Sequence, residues 1–163
     1  MSMFRCRPGS VAVLVAASVW FLGPRDAMAQ ASADPPSLQW FVPPVLPPGA
    51  LIAVVSGDPT RPGEFTLRVS MPDGYRIPPH SHPGEEHVEI HEGTLLVGEG
   101  DRLDPRMTQA LAAGDSATAP AGMRHFSIAK GRTVLSATFM GPYTITYLRA
   151  EDAPRPRNFP FGY

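Results

Sequence analysis

The abundance of proline and glycine is the feature that most restricts how this chain folds. The 163 residues include 20 prolines and 15 glycines. Proline breaks the interior of an α-helix and glycine weakens it, so this composition excludes a helical bundle and favours short strands joined by turns. Hydrophobic residues make up 43% of the chain, enough for the core of one ordinary domain. The formal net charge of −1 argues against a dedicated nucleic-acid binder, because that class usually carries a basic excess.

Strand-like runs follow one another at short intervals after residue 50. From Phe65 to Met71, apolar and polar residues alternate with the period of a half-buried strand. Further strand candidates are residues 51–55, 87–91, 94–97, 107–111, 116–119, 125–128, 133–139 and 144–148. Turn-forming residues separate these runs, among them Glu92-Gly93 and Gly131. Many short strands with frequent turns predict an all-β sandwich or barrel.

The first 29 residues have the three parts of a secretory signal peptide. Arg5 and Arg7 give a basic start, residues 11–22 form an apolar run, and Ala27 and Ala29 are the small residues before the expected cleavage point. As a helix, the apolar run spans only about 18 Å, well short of the roughly 30 Å hydrocarbon core of a bilayer. An uncleaved membrane anchor and a buried core helix are the alternatives. We expect cleavage after residue 29, export to the periplasm or the medium, and no further membrane contact.

Residues 30–49 are expected to form a proline-rich arm in front of the strands. Six prolines fall within residues 34–49, and paired prolines stiffen a chain toward polyproline II. Such an arm either packs on its own domain as a stiff leader or exchanges with a second subunit. Residues 50–148 would then be the barrel, and residues 149–163 a C-terminal tail.

Histidines are concentrated in one short stretch of the chain. The five histidines are His80, His82, His87, His91 and His125. On a strand, His80 and His82 would point to the same face, and Glu86 would place a carboxylate on an otherwise apolar inner face. A buried carboxylate without a partner is costly. A divalent cation bound by His80, His82 and Glu86 would remove that cost, and His125 could complete the set from a later strand.

Three neighbours of Glu86 have the opposite strand parity: His87, Glu89 and His91. On a regular strand they face away from the metal, toward solvent or another subunit. A bulge near Gly84-Glu85 would instead shift the register and make His87 a ligand. Glu85 is a second candidate carboxylate.

Two spaced motifs in this region resemble those of the cupin superfamily. The first consists of Gly74, five residues, His80-x-His82, three residues, Glu86, six residues and Gly93. The second consists of Gly114, five residues, Pro120-x-Gly122, two residues and His125. The spacing of the first motif selects Glu86 rather than Glu85. The second motif usually ends in asparagine, at the position where this chain has Ala129.

The resemblance implies a single domain, an antiparallel jelly-roll β-barrel. In cupins, the residues that match His80, His82, Glu86 and His125 bind one divalent metal inside the barrel. Such a ligand set suits Fe, Mn, Ni, Cu, Co or Zn, and the sequence does not select among them.

Several functional expectations come with the resemblance. It implies a small-molecule substrate or ligand, dioxygenase-like or isomerase-like chemistry, and pairing into homodimers. Glu86 is the candidate catalytic residue, because a carboxylate can leave a metal transiently and act as a general base. The alternatives are a non-catalytic metal- or ligand-binding module and a polar cluster without metal. Four residues near the end of the predicted barrel line the cavity or belong to its core: Phe139, Met140, Tyr143 and Tyr147.

Overall fold

The computed structural model describes residues 38–155, and strands dominate this part of the chain. The eight strands are β1 Leu51–Ser56, β2 Gly63–Met71, β3 Arg76–Ser81, β4 Glu86–Glu99, β5 Gln109–Ala112, β6 Ser116–Ala119, β7 His125–Gly141 and β8 Thr146–Tyr147. Two short 3-10 turns, Pro105–Met107 and Ala150–Asp152, accompany them. All strand pairs are antiparallel, so the predicted all-β class is confirmed. Over residues 38–155, no helix has the length and apolar character needed to cross a membrane.

The pair formed by β4 and β7 organises the sheet. These strands run antiparallel from Glu86 opposite Phe139 to Glu99 opposite His125. The later part of β7 also pairs with β2, and its earlier part pairs with β3. On its other edge, β4 pairs with β6 and then with β5. Every other strand except β1 and β8 therefore takes its position directly from β4 or β7.

Both long strands bend where the sequence predicts turns. The predicted turns at Glu92-Gly93 and Gly131 are wrong, because β4 and β7 continue through these residues. The register shifts on both sides of Glu92, which marks a bulge, and the hydroxyl of Thr133 bridges it by donating to the carbonyl oxygen of Thr94 at 3.1 Å. Glycine with positive φ permits the bend, so the residues expected to end the strands curve them instead.

The core lies on the inner face of the strands. Phe65, Leu67 and Val69 alternate inward along β2, as the sequence pattern predicts, and each is buried. Across the pairing with β7, Phe65 lies opposite Phe139, and their rings stack with centroids 5.5 Å apart. Buried aromatic pairs of this kind add packing energy to the burial of their surface.

The described part of the proline-rich arm, residues 38–49, packs on the barrel of its own chain. Phe41 forms two backbone hydrogen bonds with β1, each 2.9 Å long. The hydroxyl of Tyr75 donates to the carbonyl oxygen of Pro47, and that of Tyr147 donates to Val45 at 2.8 Å. Such contacts are expected of a stiff leader, and exchange of the arm with a second subunit stays the alternative.

Three predicted segments lie wholly or partly outside the described residues. The signal peptide, residues 1–29, lies outside them entirely, as do residues 30–37 of the arm and residues 156–163 of the tail. Export and homodimer formation stay predictions.

Replacing Gly93 by alanine is expected to destabilise the fold more than replacing Gly74. Both glycines have positive φ, +77° and +72°, where an alanine costs about 1–2 kcal/mol. At Gly93 an added Cβ would also lie 2.2 Å from the carbonyl oxygen of Arg132, whereas at Gly74 it meets nothing within 4 Å. We expect urea denaturation to show a loss of about 1–2 kcal/mol for Gly74→Ala and about 3 kcal/mol or more for Gly93→Ala. Equal losses would show that the bulge has room for a side chain.

Candidate metal centre

Four side chains converge on one point inside the barrel, and they are the four candidate ligands of the sequence. His80 lies in β3, His82 follows that strand, Glu86 opens β4 and His125 opens β7. One ligand atom from each lies within 4.8 Å of the others. His80 is paired directly with His125 across β3 and β7, and their ring centroids are 4.2 Å apart. His80 and His82 are almost completely buried.

A tight turn positions His125. The backbone N–H of Met123 donates to the carbonyl oxygen of Pro120 at 3.0 Å, and Gly122 between them has a φ of +74°. A positive φ at the third residue of a turn is typical of type II and favours glycine. The N–H of Gly122 also donates to the carbonyl oxygen of His82 at 2.8 Å. The backbone of the second motif is therefore bonded to the backbone of the first.

Backbone carbonyls fix the orientation of all three imidazole rings. Nδ1 of His80 bonds to Pro78 (2.7 Å), that of His82 to Thr144 (2.8 Å) and that of His125 to Met123 (3.0 Å). A carbonyl oxygen only accepts hydrogen bonds, so each Nδ1 carries the hydrogen and donates. A neutral ring then has its lone pair on Nε2. The three Nε2 atoms thus face the shared point, as in metal-binding histidines whose other nitrogen is tied to a carbonyl.

Glu86 is the acidic member of the cluster. Its Oε2 atom lies 3.1 Å from Nε2 of His125 and 3.5 Å from Nε2 of His82. Burial raises the pKa of Glu86, but the hydrogen bond from His125 and the charges of the surrounding imidazoles outweigh burial and hold the pKa below its ordinary value. Burial lowers the pKa of His125, and its hydrogen bond and attraction to Glu86 raise that pKa above the ordinary value. This pair therefore favours a carboxylate beside an imidazolium.

The other two imidazoles are neutral at physiological pH. Burial, and then the charge of His125, lowers the pKa of His80 to about 3. Burial also lowers the pKa of His82, although the negative charge of Glu86 opposes the shift. Both rings therefore offer a lone pair rather than a proton, which is the form that binds a metal.

Nε2 of His82 gives the strongest reason to infer a cation at this point. It is buried, and it has no hydrogen-bond partner among residues 38–155. Because the ring is neutral and Nδ1 carries the hydrogen, Nε2 and Oε2 of Glu86 are two acceptors facing each other at 3.5 Å. A buried acceptor without a donor is costly, and a cation at this point would bind the lone pair of His82 Nε2 and neutralise the charge of Glu86. Imidazole nitrogen and carboxylate oxygen suit a divalent transition metal, so the residues fit the predicted cofactor.

The remaining histidines stay outside the cluster. His87 is exposed, and its Nδ1 lies 3.0 Å from the hydroxyl of Thr118. Nε2 of His91 lies 2.8 Å from the hydroxyl of Ser136 on the outer face of the sheet. Glu85 is exposed as well. Residues 86–90 pair regularly with β7, so no bulge turns His87 inward, in agreement with the parity argument.

Aromatic side chains border the histidines. The ring centroids of Phe139 and Tyr143 lie 5.0 and 5.8 Å from that of His82, and the ring of Tyr147 lies 6.0 Å from that of His80. Burial, and then the charge of Glu86, raises the pKa of Tyr143 far above its usual range, so its hydroxyl keeps its proton. These three residues therefore lie beside the site, whereas the side chain of Met140 is largely exposed.

Sequence reasoning missed the carbonyl groups that orient the rings. The acceptors belong to Pro78, Thr144 and Met123, and every residue type carries such a group. Two of them lie two residues before the histidine that they orient, so strand geometry near His80 and His125 could have suggested them. Thr144 is 62 residues from His82 along the chain and becomes apparent only from the fold.

Comparison with known proteins supports the family indicated by the two motifs. A family model described as a cupin domain matches residues 67–140. Germin-like protein 9-3 of Oryza sativa subsp. japonica is 44% identical over 55 residues, which cover 33% of this chain and 26% of that protein. Against the curated relatives that it matches, the chain spans 26% to 35% of their length.

Solved structures show the same fold. DMSP lyase DddQ from Ruegeria pomeroyi DSS-3 superposes with a TM-score of 0.55 and 19% identity, over 68% of this chain and 61% of that chain. A salicylate 1,2-dioxygenase from Pseudaminobacter salicylatoxidans superposes with a TM-score of 0.51 and 17% identity, over 61% of this chain and 28% of that chain. These structures show the fold: the described strands form the antiparallel jelly-roll barrel that the motifs predict, and residues 67–140 are the part of the chain that matches the cupin domain model.

Replacing His82 by alanine is expected to abolish metal retention. The change removes one imidazole ligand and leaves a space beside Glu86, so the remaining residues hold the ion too weakly to survive gel filtration. His87→Ala is the matched control, because His87 is exposed and outside the cluster. Elemental analysis of both purified variants checks the prediction. Stoichiometric metal in His82→Ala would contradict the assignment of this ligand.

Binding of Zn²⁺ at pH 6 is expected to release fewer than two protons per ion, because His80 is neutral there and His125 is the one histidine of the cluster with a raised pKa. His80, with a pKa of about 3, is already neutral, and the lowered pKa of His82 leaves that ring less protonated than an ordinary imidazole. Three histidines of ordinary pKa would release about two protons. The affinity should fall as the pH drops through the raised pKa of His125. Calorimetry in two buffers of different protonation enthalpy measures the number of protons released per ion. A release of two or more protons would contradict the prediction.

Proposed function

We propose that this protein is a metal-dependent cupin that acts on a small organic molecule, with oxygen-dependent oxidation as the reaction class. The observation that carries the proposal is the convergence of three oriented Nε2 atoms and one carboxylate on a single point. Four protein ligands leave about two positions of a six-coordinate ion open to other ligands. A redox-active ion bound there would supply Lewis acidity and electron transfer.

Glu86 is the residue suited to move a proton in this site. Its carboxylate is kept ionised beside His125, which is the protonation state that a general base needs. A carboxylate has two oxygen atoms, and one of them can hold a cation while the other acts as a general base. The neutral rings of His80 and His82 keep their hydrogens on Nδ1, so their role is to hold the metal ion rather than to move a proton.

The similar structures support a range of chemistry rather than one reaction. One is named a lyase and the other a dioxygenase, and at 19% and 17% identity they share only the fold with this chain. Cupin barrels host many activities, so the reaction class must be argued from the site. We favour oxidation because a ligand set of three histidines and one carboxylate accommodates redox-active iron or manganese.

We also propose that the site operates outside the cytoplasm. Residues 1–29 have the charge, length and small-residue pattern of a secretory signal. Cleavage there removes Cys6, the single cysteine of the chain. A mature protein without thiols binds metal through nitrogen and oxygen alone, in keeping with the donor atoms that converge in the barrel.

Glu86→Gln is expected to lower the rate of oxygen consumption per bound metal by about 10²–10⁴, because the amide cannot accept the substrate proton. Glu85→Gln is the matched control, since Glu85 is an exposed carboxylate next to it in sequence. The assay uses protein loaded with Fe²⁺ or Mn²⁺ without oxygen, then exposed to oxygen with a panel of phenols, diketones and small carboxylates. Metal content is measured for every variant, so that turnover is expressed per ion.

Three outcomes would contradict all or part of the proposal. Wild-type protein that retains metal but consumes no oxygen with any compound of the panel would favour the non-catalytic binding module. Wild-type protein that retains no metal would contradict both the enzyme and the metal-binding module. An equal rate for Glu86→Gln and wild type would leave the metal centre in place and remove Glu86 from the reaction.

A further inference from the structure

Three tyrosines close enough to interact electrostatically differ in what their hydroxyls contact. Those of Tyr75 and Tyr147 donate to carbonyl oxygens of the arm, at Pro47 and Val45. Within the described part of the chain, the hydroxyl of Tyr143 has no such protein partner. It is therefore the phenol of the three that has a hydrogen bond to offer to another molecule.

The ring of Tyr143 is held firmly in place. Its centroid lies 5.1 Å from that of Phe139 and 6.0 Å from that of Phe65, and both contacts are edge-on. Its backbone N–H donates to the carbonyl oxygen of Pro59 at 2.8 Å. A side chain packed against two core rings and anchored through its backbone keeps a defined direction, so its hydroxyl is preorganised.

The segment that carries Tyr143 also orients a metal-binding candidate. The next residue, Thr144, accepts the hydrogen bond from Nδ1 of His82 at 2.8 Å. The rings of Tyr143 and His82 are 5.8 Å apart, and the charge of Glu86 acts on the phenol. One short connection between β7 and β8 thus positions both a ligand ring and a hydrogen-bond donor beside the same site.

The charge of the loaded site favours a negatively charged ligand. Three neutral imidazoles, one carboxylate and a divalent cation sum to a net charge of about +1. A phenol keeps its proton at neutral pH and therefore donates to an oxygen that carries negative charge. Hydrogen bonds between a neutral donor and a charged acceptor are stronger than those between neutral groups.

We propose that Tyr143 is a substrate-contacting residue whose hydroxyl donates a hydrogen bond to a negatively charged oxygen of a small molecule held at the metal centre. The substrate class is thereby an organic oxyanion, in which a carboxylate, phenolate or enolate oxygen lies beside the metal. This inference rests on the proposed function, because it requires a small molecule at the ion.

The test compares ligand binding by wild type, Tyr143→Phe and Tyr75→Phe, each loaded with Co²⁺. Formate, acetate and benzoate are the probes, and both the visible absorption of the cobalt and calorimetry report their binding. We expect Tyr143→Phe to bind the tightest of the three probes about tenfold or more weakly, with unchanged cobalt content. Tyr75→Phe removes a hydroxyl that donates to the arm, so its affinity should stay within about twofold of wild type.

Four results would overturn the inference. Equal affinity of Tyr143→Phe and wild type would show that the hydroxyl contacts no ligand, and loss of cobalt from that variant would make its role structural. Wild-type protein that retains cobalt but binds none of the probes would exclude oxyanions as the substrate class. If such protein still consumed oxygen with a neutral compound, the proposed function would stand. Wild-type protein that retains no cobalt overturns the inference and argues against the proposed function as well.

Discussion

The register between β4 and β7 is the constraint on which the rest of the structure depends. Because side chains alternate along a strand, a slip of one residue would turn Glu86 out of the barrel and bring His87 in. The long pairing, with Phe139 opposite Glu86 and His125 opposite Glu99, fixes the two ends of the ladder. The bulge between these ends bends both strands without breaking the pairing. The acid and the last histidine of the site are thus positioned by the same set of backbone hydrogen bonds.

Within that frame, the site is built mainly from backbone groups acting on side chains. Carbonyl oxygens hold Nδ1 of each imidazole, and the turn that delivers His125 is itself bonded to the carbonyl oxygen of His82. Two rings are kept neutral by burial, while the pair of Glu86 and His125 keeps a negative and a positive charge side by side. A cation therefore meets a set of donors whose directions are fixed in advance and must displace only one proton.

The sequence predicted the class of fold and the four converging side chains, because both are encoded locally. Strand alternation in β2, the spacing from His80 to Glu86 and the turn before His125 each need only a short window of residues. It failed where long-range pairing overrides a local signal, as at Gly93, where a turn-forming residue lies inside a strand. It also could not identify the role of Tyr143, because the alternatives of cavity lining and core differ only in what surrounds the hydroxyl.

The arm has a consequence for how the domain can be altered. Residues 45 and 47 supply the acceptors for two phenols, and Leu46 between them is buried in the core. A truncated protein that starts at Ala50 would lose these acceptors and uncover apolar surface at once. A tag or fusion partner is therefore better attached well upstream of Trp40, because the segment that follows serves as a wall of the barrel rather than as a spacer.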